Sequence, residues 1–359
     1  MSRLRPHLTE FHERYRVPAV GGALVTRDGL PELDVVGVRV RGDDDPVRRD
    51  DRWHIGSCCK AVTAALYARL VERGDAVWGA RLPDLFPDLA GTIDPRWGAV
   101  TIDDLLVCQG GLPANLGRAH TKAAMRDSRP LREQRTESAA GALARPPRRP
   151  GRFLYSNLGY VVIGAAIERI ADAPFEEALA RHVLEPLGIT SAGFGPPPGL
   201  WGHGGRMLAL GPLGLIDLGR VGPADPEAPE SDNPPILSPA GRLHLTLEDW
   251  ARFQRVFLAR GDGFLRPATI ERLLTPARRQ AMGWAPAAAA EVSVGQQGSN
   301  TFWVATALID RERMRTAMVV CNEGSARLLR KTPELALRLL AEARPRPPQS
   351  VPPARAGRP

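Results

Sequence analysis

Apolar and polar positions alternate through residues 19–41, AVGGALVTRDGLPELDVVGVRVR, on both sides of a DG/LP break at 28–31. A period of two interrupted by turn residues predicts two paired strands. From Ser57 the period becomes helical: SCCKAVTAALYARLVERG carries an apolar stripe that ends at Gly74. Thr101–Asp104 (TIDD) is a capping box opening a short helix that stops at Gly110-Gly111. Residues 118–135 read as a polar helix and 138–151, rich in Ala, Pro and Arg, as a loop. Residues 158–172, LGYVVIGAAIERIAD, are apolar nearly all round and predict a buried helix. Asp217 to Pro239 reads as a loop, and Thr246–Asp249 (TLED) as a second capping box that opens EDWARFQRVFLARG. Strands are expected near 291–296, 301–309 and 315–321, a helix at 332–343, and a disordered Pro/Arg tail over 344–359.

Strands thus lie toward both chain ends, with helices between them. That order predicts an α+β fold: an antiparallel sheet flanked by helices, built from about 1–75 and 240–343, with an all-helical lobe from about 76–239 inserted.

Composition narrows the function classes. A chain of 359 residues with 43% hydrophobic and 25% charged residues is ordinary for a globular protein. The net charge of +8 is carried by arginines interleaved with 40 acids. The densest basic runs, Arg145 to Arg152 and Arg344 to Arg358, are proline-laced, and no groove-reading motif accompanies them, so nucleic-acid binding is not expected. The N-terminal residues show no apolar leader, and no run approaches the ~18 apolar residues of a membrane span. Four cysteines, two of them adjacent, form neither a disulfide framework nor a zinc pattern, and the seven histidines form no HExxH pair. The expectation is a cytoplasmic protein without metal or cofactor.

Of 48 basic residues only Lys60, Lys122 and Lys331 are lysine. Arginine suffices where charge alone is needed, so a retained lysine points to a group that must lose a proton. Lys60 stands three residues after Ser57 in HIGSCCKAV, on one face of a helix start, where its amine reaches the hydroxyl. Serine becomes a useful nucleophile when such a base takes its proton. A second pair, Tyr155-x-Asn157 in RFLYSNLGY, combines a phenol able to relay protons with an amide able to hold a substrate carbonyl.

The blocks IGSCCKAVTAALYARLVERG, TIDDLLVCQGGLP, PGRFLYSNLGYVVIGAAIERI and PAGRLHLTLEDWARF, in this order, resemble those of the serine β-lactamase-like superfamily, in the branch of class C β-lactamases, D-Ala-D-Ala carboxypeptidases and related esterases. The resemblance spans most of residues 15–340. It implies an α/β lobe and a helical lobe with the site in the cleft between them. It further implies Ser57 as acylated nucleophile, Lys60 and Tyr155 as the proton-transfer pair, and Asn157 as a substrate ligand. The family's third motif, Lys-Thr-Gly or His-x-Gly, is matched by Gln296-Gln297-Gly298. Gln296 stands at the cationic position without a charge, although it can donate a hydrogen bond. Gly298 permits close backbone approach, and the N–H of Ser299 is expected to pair with that of Ser57 as an oxyanion hole. Cys108, where relatives often carry His, and Cys58-Cys59 read as packing changes.

Trp201 to Gly205, WGHGG, resembles a lipase oxyanion segment, but no GxSxG elbow accompanies it. It reads as a loop with His203 as a candidate substrate contact. Trp284 and Trp303 read as core, and Glu168 and Arg169 as structural. The function expected is a serine hydrolase acting on an ester or amide of a small-molecule or peptide-like substrate through a Ser57 acyl-enzyme. Without a cation at Gln296, carboxypeptidase or β-lactamase action is the lesser expectation. Two alternatives stand: a biosynthetic acyltransferase using the same acyl-enzyme, and a non-catalytic binding protein that keeps the fold.

Overall fold

The expected hairpin forms, β1 (Ala19–Thr26) against β2 (Glu32–Gly37). A computed structural model describes residues 2–342 apart from 28, 210–214, 259–262, 278, 287–288 and 290–291. Helix α1 (Arg5–Tyr15) precedes β1. Strand β3 (Arg52–His54) leads into α2 (Cys59–Arg73). The inserted region holds α3 (Leu82–Leu85), α4 (Ile102–Leu106), α5 (Arg118–Ala124), α6 (Leu131–Leu143), α7 (Asn157–Ala171) and α8 (Phe175–Leu179). Strands β4 (Gly193–Phe194), β5 (Gly202–Ala209) and β6 (Leu215–Ala224), short helix α9 (Ser238–Gly241), β7 (Leu243–Thr246), α10 (Leu247–Leu258) and α11 (Pro267–Leu274) follow. The chain closes with β8 (Ala285–Pro286), β9 (Val294–Ser299), β10 (Val304–Asp310), β11 (Arg315–Cys321) and α12 (Ala326–Ala341).

The main sheet has the order β2-β1-β11-β10-β9-β8, every pair antiparallel, so strands from the two chain ends meet at β1 and β11. Side chains alternate between its two faces. Val20, Leu24, Val319 and Cys321 pack outward with Leu8 of α1 and Leu335 and Leu339 of α12. Ala19, Ala23, Met318 and Val320 pack inward, in one core with α2, α7 and α10. A small sheet, β3-β7-β4, links the start of α2 to the region after α8.

Several expectations are corrected. The helix placed at 118–135 is two, α5 and α6, because Pro130 and its extended backbone separate them. Helix α6 then runs to Leu143, so the loop placed at 138–151 begins later: Ala139 and Leu143 are buried and hold that turn in the core. WGHGG is not a loop, since Gly202 to Gly205 lie in β5, and the loop placed at 217–239 starts only after β6. Helix α4 ends at Leu106, short of the glycines, and Cys108 turns the chain with φ 56°. The TIDD box is reciprocal, as expected. The TLED box is half made: Thr246 Oγ1 accepts from Asp249 N, whereas the Asp249 carboxylate turns to the N–H groups of Thr190 and Ser191.

Helix α12 starts at Ala326, six residues before expectation, capped by Ser325 Oγ on Leu328 N. Pro333 lies inside it and cannot donate to Leu329 O. Gln297 Nε2 donates to that carbonyl instead, at 2.6 Å, so the break that Pro333 suggests is bridged from β9. The 344–359 tail and residue 291 lie outside the described residues. No helix among the described residues is long and apolar enough to cross a membrane.

Candidate active site

Ser57 sits in a 3₁₀ turn, Gly56–Cys58, that feeds directly into α2, with Gly56 at φ 51°. Lys60 is in the first turn of α2 and is buried, at 1% exposure. Its Nζ donates to three oxygens: Ser57 Oγ at 3.2 Å, Asn157 Oδ1 at 2.7 Å and the Ala240 carbonyl at 2.6 Å. The ring centroids of Tyr155 and Tyr160 lie 4.9 and 5.4 Å from Nζ, near enough for cation–π attraction. Burial pushes the Tyr160 phenol well above its usual pKa, and its hydroxyl donates to Leu106 O. Tyr160 is therefore a neutral wall.

Tyr155 lies in the extended segment before α7, and its hydroxyl donates to Ser57 Oγ at 2.7 Å. The segment is fixed by Ser156, which caps α7 by accepting from Gly159 N and donates to Pro113 O. Asn157 N donates to Ala114 O, and Asn157 Nδ2 to Asn115 Oδ1 at 2.7 Å. The structure therefore brings Ser57, Lys60, Tyr155 and Asn157 into one hydrogen-bonded cluster.

Strand β9 closes the site by backbone contact. A Cβ on Gly298 would lie 2.6 Å from Ser57 N and would collide with the Ile55 carbonyl; one on Gly56 would lie 2.5 Å from Ser299 N. Only glycine at both positions lets the Ser57 and Ser299 amides stand side by side. Gln296 is placed differently from the other site residues. It is buried beside α10, where its Oε1 accepts from Gln254 Nε2 at 3.2 Å, and no hydrogen bond among the described residues joins it to the Ser57 cluster.

Behind the turn lies a buried polar bracket that the sequence reading missed. His54 Nδ1 accepts from Gly56 N at 3.1 Å, so its ring proton is on Nε2, which faces Asp232 Oδ2 at 3.2 Å. Asp232 Oδ1 accepts from Asn300 Nδ2 at 2.7 Å, and Arg242 Nε reaches Oδ2 at 3.2 Å. Burial raises the Asp232 pKa, but His54, Arg242 and Asn300 together hold it below the usual carboxylate range. One carboxylate thus ties the residue before Ser57 to the residue after Ser299. Ala240 and Asn115 were also missed; a backbone carbonyl ligand and a loop amide carry no sequence pattern.

Other candidates fall away from the site. His203 is fully buried, bonded to Asn322 O and accepting from Arg41 N, and burial lowers its pKa to about 4, so it is structural. Trp284 and Trp303 are core residues. Glu168 pairs with buried Arg135, and Arg169 with Asp88. Burial pushes the Cys59 thiol up to about 11, and those of Cys58 and Cys108 also upward, which keeps the thiols beside Ser57 protonated and unreactive.

A family model described as Beta-lactamase matches residues 4–340. Protein Rv1367c of Mycobacterium tuberculosis is 29% identical over 252 residues, 66% of this chain and 61% of its own. Penicillin-binding protein 4 of Amycolatopsis lactamdurans is 28% identical over 259 residues, 70% of this chain and 61% of its own. The chain thus spans about three fifths of the length of these curated relatives. The D-amino acid amidase of Ochrobactrum anthropi SV3, solved with D-phenylalanine, superposes with a TM-score of 0.75 at 17% identity, covering 95% of this chain and 99% of that one; at that identity the likeness is one of fold.

Proposed function

This chain belongs to the Beta-lactamase family, and on that premise we propose that it is a serine hydrolase that cleaves an ester or amide through an acyl-enzyme on Ser57. The observation that carries the reading is Ser57 Oγ held between Lys60 Nζ at 3.2 Å and the Tyr155 hydroxyl at 2.7 Å.

The donor inventory supports Lys60 as base. An ammonium has three N–H donors, and Lys60 has three oxygen partners. The Ala240 carbonyl and the Asn157 amide oxygen can only accept. Ser57 alone can reverse the direction of its bond and donate. When Lys60 is neutral, its lone pair therefore faces the serine proton. Transfer of that proton to Nζ frees Oγ to attack the substrate carbonyl, and the developing oxyanion lies against the N–H groups of Ser57 and Ser299. Collapse breaks the bond to the leaving group, which takes a proton by way of Tyr155, and leaves the acyl group on Oγ. Water, activated by the same pair, then releases the acid and restores Ser57. Asn157, anchored to Lys60 and Asn115, offers its remaining amide hydrogen to the substrate.

The assembled cluster weighs against the non-catalytic alternative. The test is hydrolysis of p-nitrophenyl butyrate by wild type and Ser57→Ala, with and without an added alcohol or amine. Turnover lost in Ser57→Ala, with butyric acid as product, supports the hydrolase. Diversion of most acyl product to the added acceptor supports acyl transfer. Equal rates in the two proteins would overturn both.

A further inference from the structure

Residues 111–152 hold ten lysines and arginines against three acids, a net +7 in a chain whose whole net charge is +8. The charge that reads as scattered along the sequence is therefore gathered in one segment. Arg129, Arg132 and Arg135 in it are ion-paired. The other seven, Arg145 and Arg148 among them, have no acidic partner among the described residues. Like charges left together in this way repel one another and attract anions.

This segment builds a groove of about 440 Å³ between the Gly111–Gly117 loop, the end of α6 and the Arg145–Arg148 turn. Trp97, Leu116 and Leu158 give it apolar walls, and Arg145 and Arg148 stand exposed at its edge. Asn115 lines it too, and Asn115 holds the amide of Asn157, the partner of Lys60. The groove is therefore two side chains from the lysine of the site. A cavity of this size with apolar walls and a few polar groups has the form of a small-molecule subsite.

We propose that this groove takes the acyl part of an anionic substrate, its hydrocarbon body against Trp97, Leu116 and Leu158 and a terminal oxyanion, carboxylate or phosphate, on the guanidinium groups of Arg145 and Arg148. The planar forks of arginine suit either oxyanion. The pair supplies positive charge that the uncharged, buried Gln296 does not. The proposal rests on the acyl-enzyme reading for its orientation, with the scissile carbonyl at Ser57 and the anion at the far end.

The test uses p-nitrophenyl esters of equal chain length ending in methyl, carboxylate or phosphonate. Wild type is expected to favour at least one anionic ester in kcat/KM by about tenfold or more at low salt, and less at high salt. The larger preference identifies the oxyanion. Arg145→Gln/Arg148→Gln is expected to bring the ratio toward one, whereas Arg181→Gln, which removes an exposed cation outside the groove, leaves it unchanged. No preference in wild type, or an unchanged preference in the double variant, would overturn the proposal. Calorimetric binding of the same esters to Ser57→Ala, with and without the two arginine substitutions, reads the groove independently of turnover. Equal affinity for charged and neutral esters there would refute the groove even if Ser57 proves to be the nucleophile. Charge-selective binding in a protein that hydrolyses none of the esters would retain the groove and reject the acyl-enzyme.

Discussion

The Ala240 carbonyl accepts a 2.6 Å hydrogen bond from Lys60 Nζ, and so joins the short helix after the Pro-rich segment to the first turn of α2. This contact orients the lysine. With Asn157 Oδ1 it occupies two of the three donor directions and leaves Ser57 as the partner toward which a lone pair can turn.

Lys60→Arg is therefore expected to lose most activity while keeping its charge. Guanidinium does not deprotonate near neutral pH, and its planar fork cannot match three oxygens arranged around a single nitrogen. Removal of a general base lowers kcat by about 10²–10⁴-fold. Steady-state kinetics of Lys60→Arg on a p-nitrophenyl ester checks this, and near-normal turnover would remove Lys60 from the role of base.

Gly298→Ala tests the backbone half of the site. The new Cβ would meet the Ile55 carbonyl and stand 2.6 Å from Ser57 N, so β9 must move away from Ser57. Displacing one oxyanion donor costs about 10²–10³ in kcat. The expected result is that loss with KM little changed, together with a lower melting temperature, measured on the same preparation. Wild-type kcat would show that Ser299 N is not part of an oxyanion hole.

The Ser57 end of the candidate site was legible in the sequence because its residues are close in the chain. Ser57 and Lys60 share one helical turn, and Tyr155, Ser156 and Asn157 share one capped helix start. Strands β1, β2, β10 and β11 were legible because each alternates or is largely apolar; β9, expected at 291–296, lies at Val294–Ser299 with two glutamines inside it, and the two-residue β8 carries no pattern. The failures have physical causes. The helix expected from 332 begins at Ala326, with Pro333 inside it, because Gln297 takes the carbonyl that the proline leaves without a donor. WGHGG reads as a loop by composition, but β5 forms because it pairs with β6, which is a tertiary fact. Asp232 lies in a Pro/Asp/Glu-rich stretch that looks solvated, and its burial depends on His54, Arg242 and Asn300 arriving from three other places in the chain.

Asp232 is expected to act as a positioning residue. Asp232→Asn keeps the size but removes the charge that His54 Nε2 faces, which loosens both the Gly56 and the Asn300 anchors. A fall in kcat of about tenfold or more with KM nearly constant is expected, since Asp232 is buried and acts through His54 and Asn300. A rise in KM at unchanged kcat would assign it to substrate binding instead.

Stability should depend on pH through two buried histidines. Burial lowers the pKa of His203 and of His244 to about 4, against an ordinary value near 6.5. Between these values the unfolded chain binds more protons than the folded one, so stability falls as pH drops from about 6.5 to 4. Over the whole window each histidine accounts for a total loss on the order of 3 kcal/mol. Melting temperatures from pH 8 to pH 4.5 should be flat above about 6.5 and decline below it, and His203→Gln should shallow the decline. A flat profile across the range would contradict the buried neutral state of both rings.

The most direct measurement is the intact mass of the protein quenched during turnover of p-nitrophenyl butyrate, followed by peptide mapping. A butyryl adduct on the peptide that contains Ser57, absent in Ser57→Ala, is the expected result. Hydrolysis with no adduct in wild type and an undiminished rate in Ser57→Ala would contradict the acyl-enzyme.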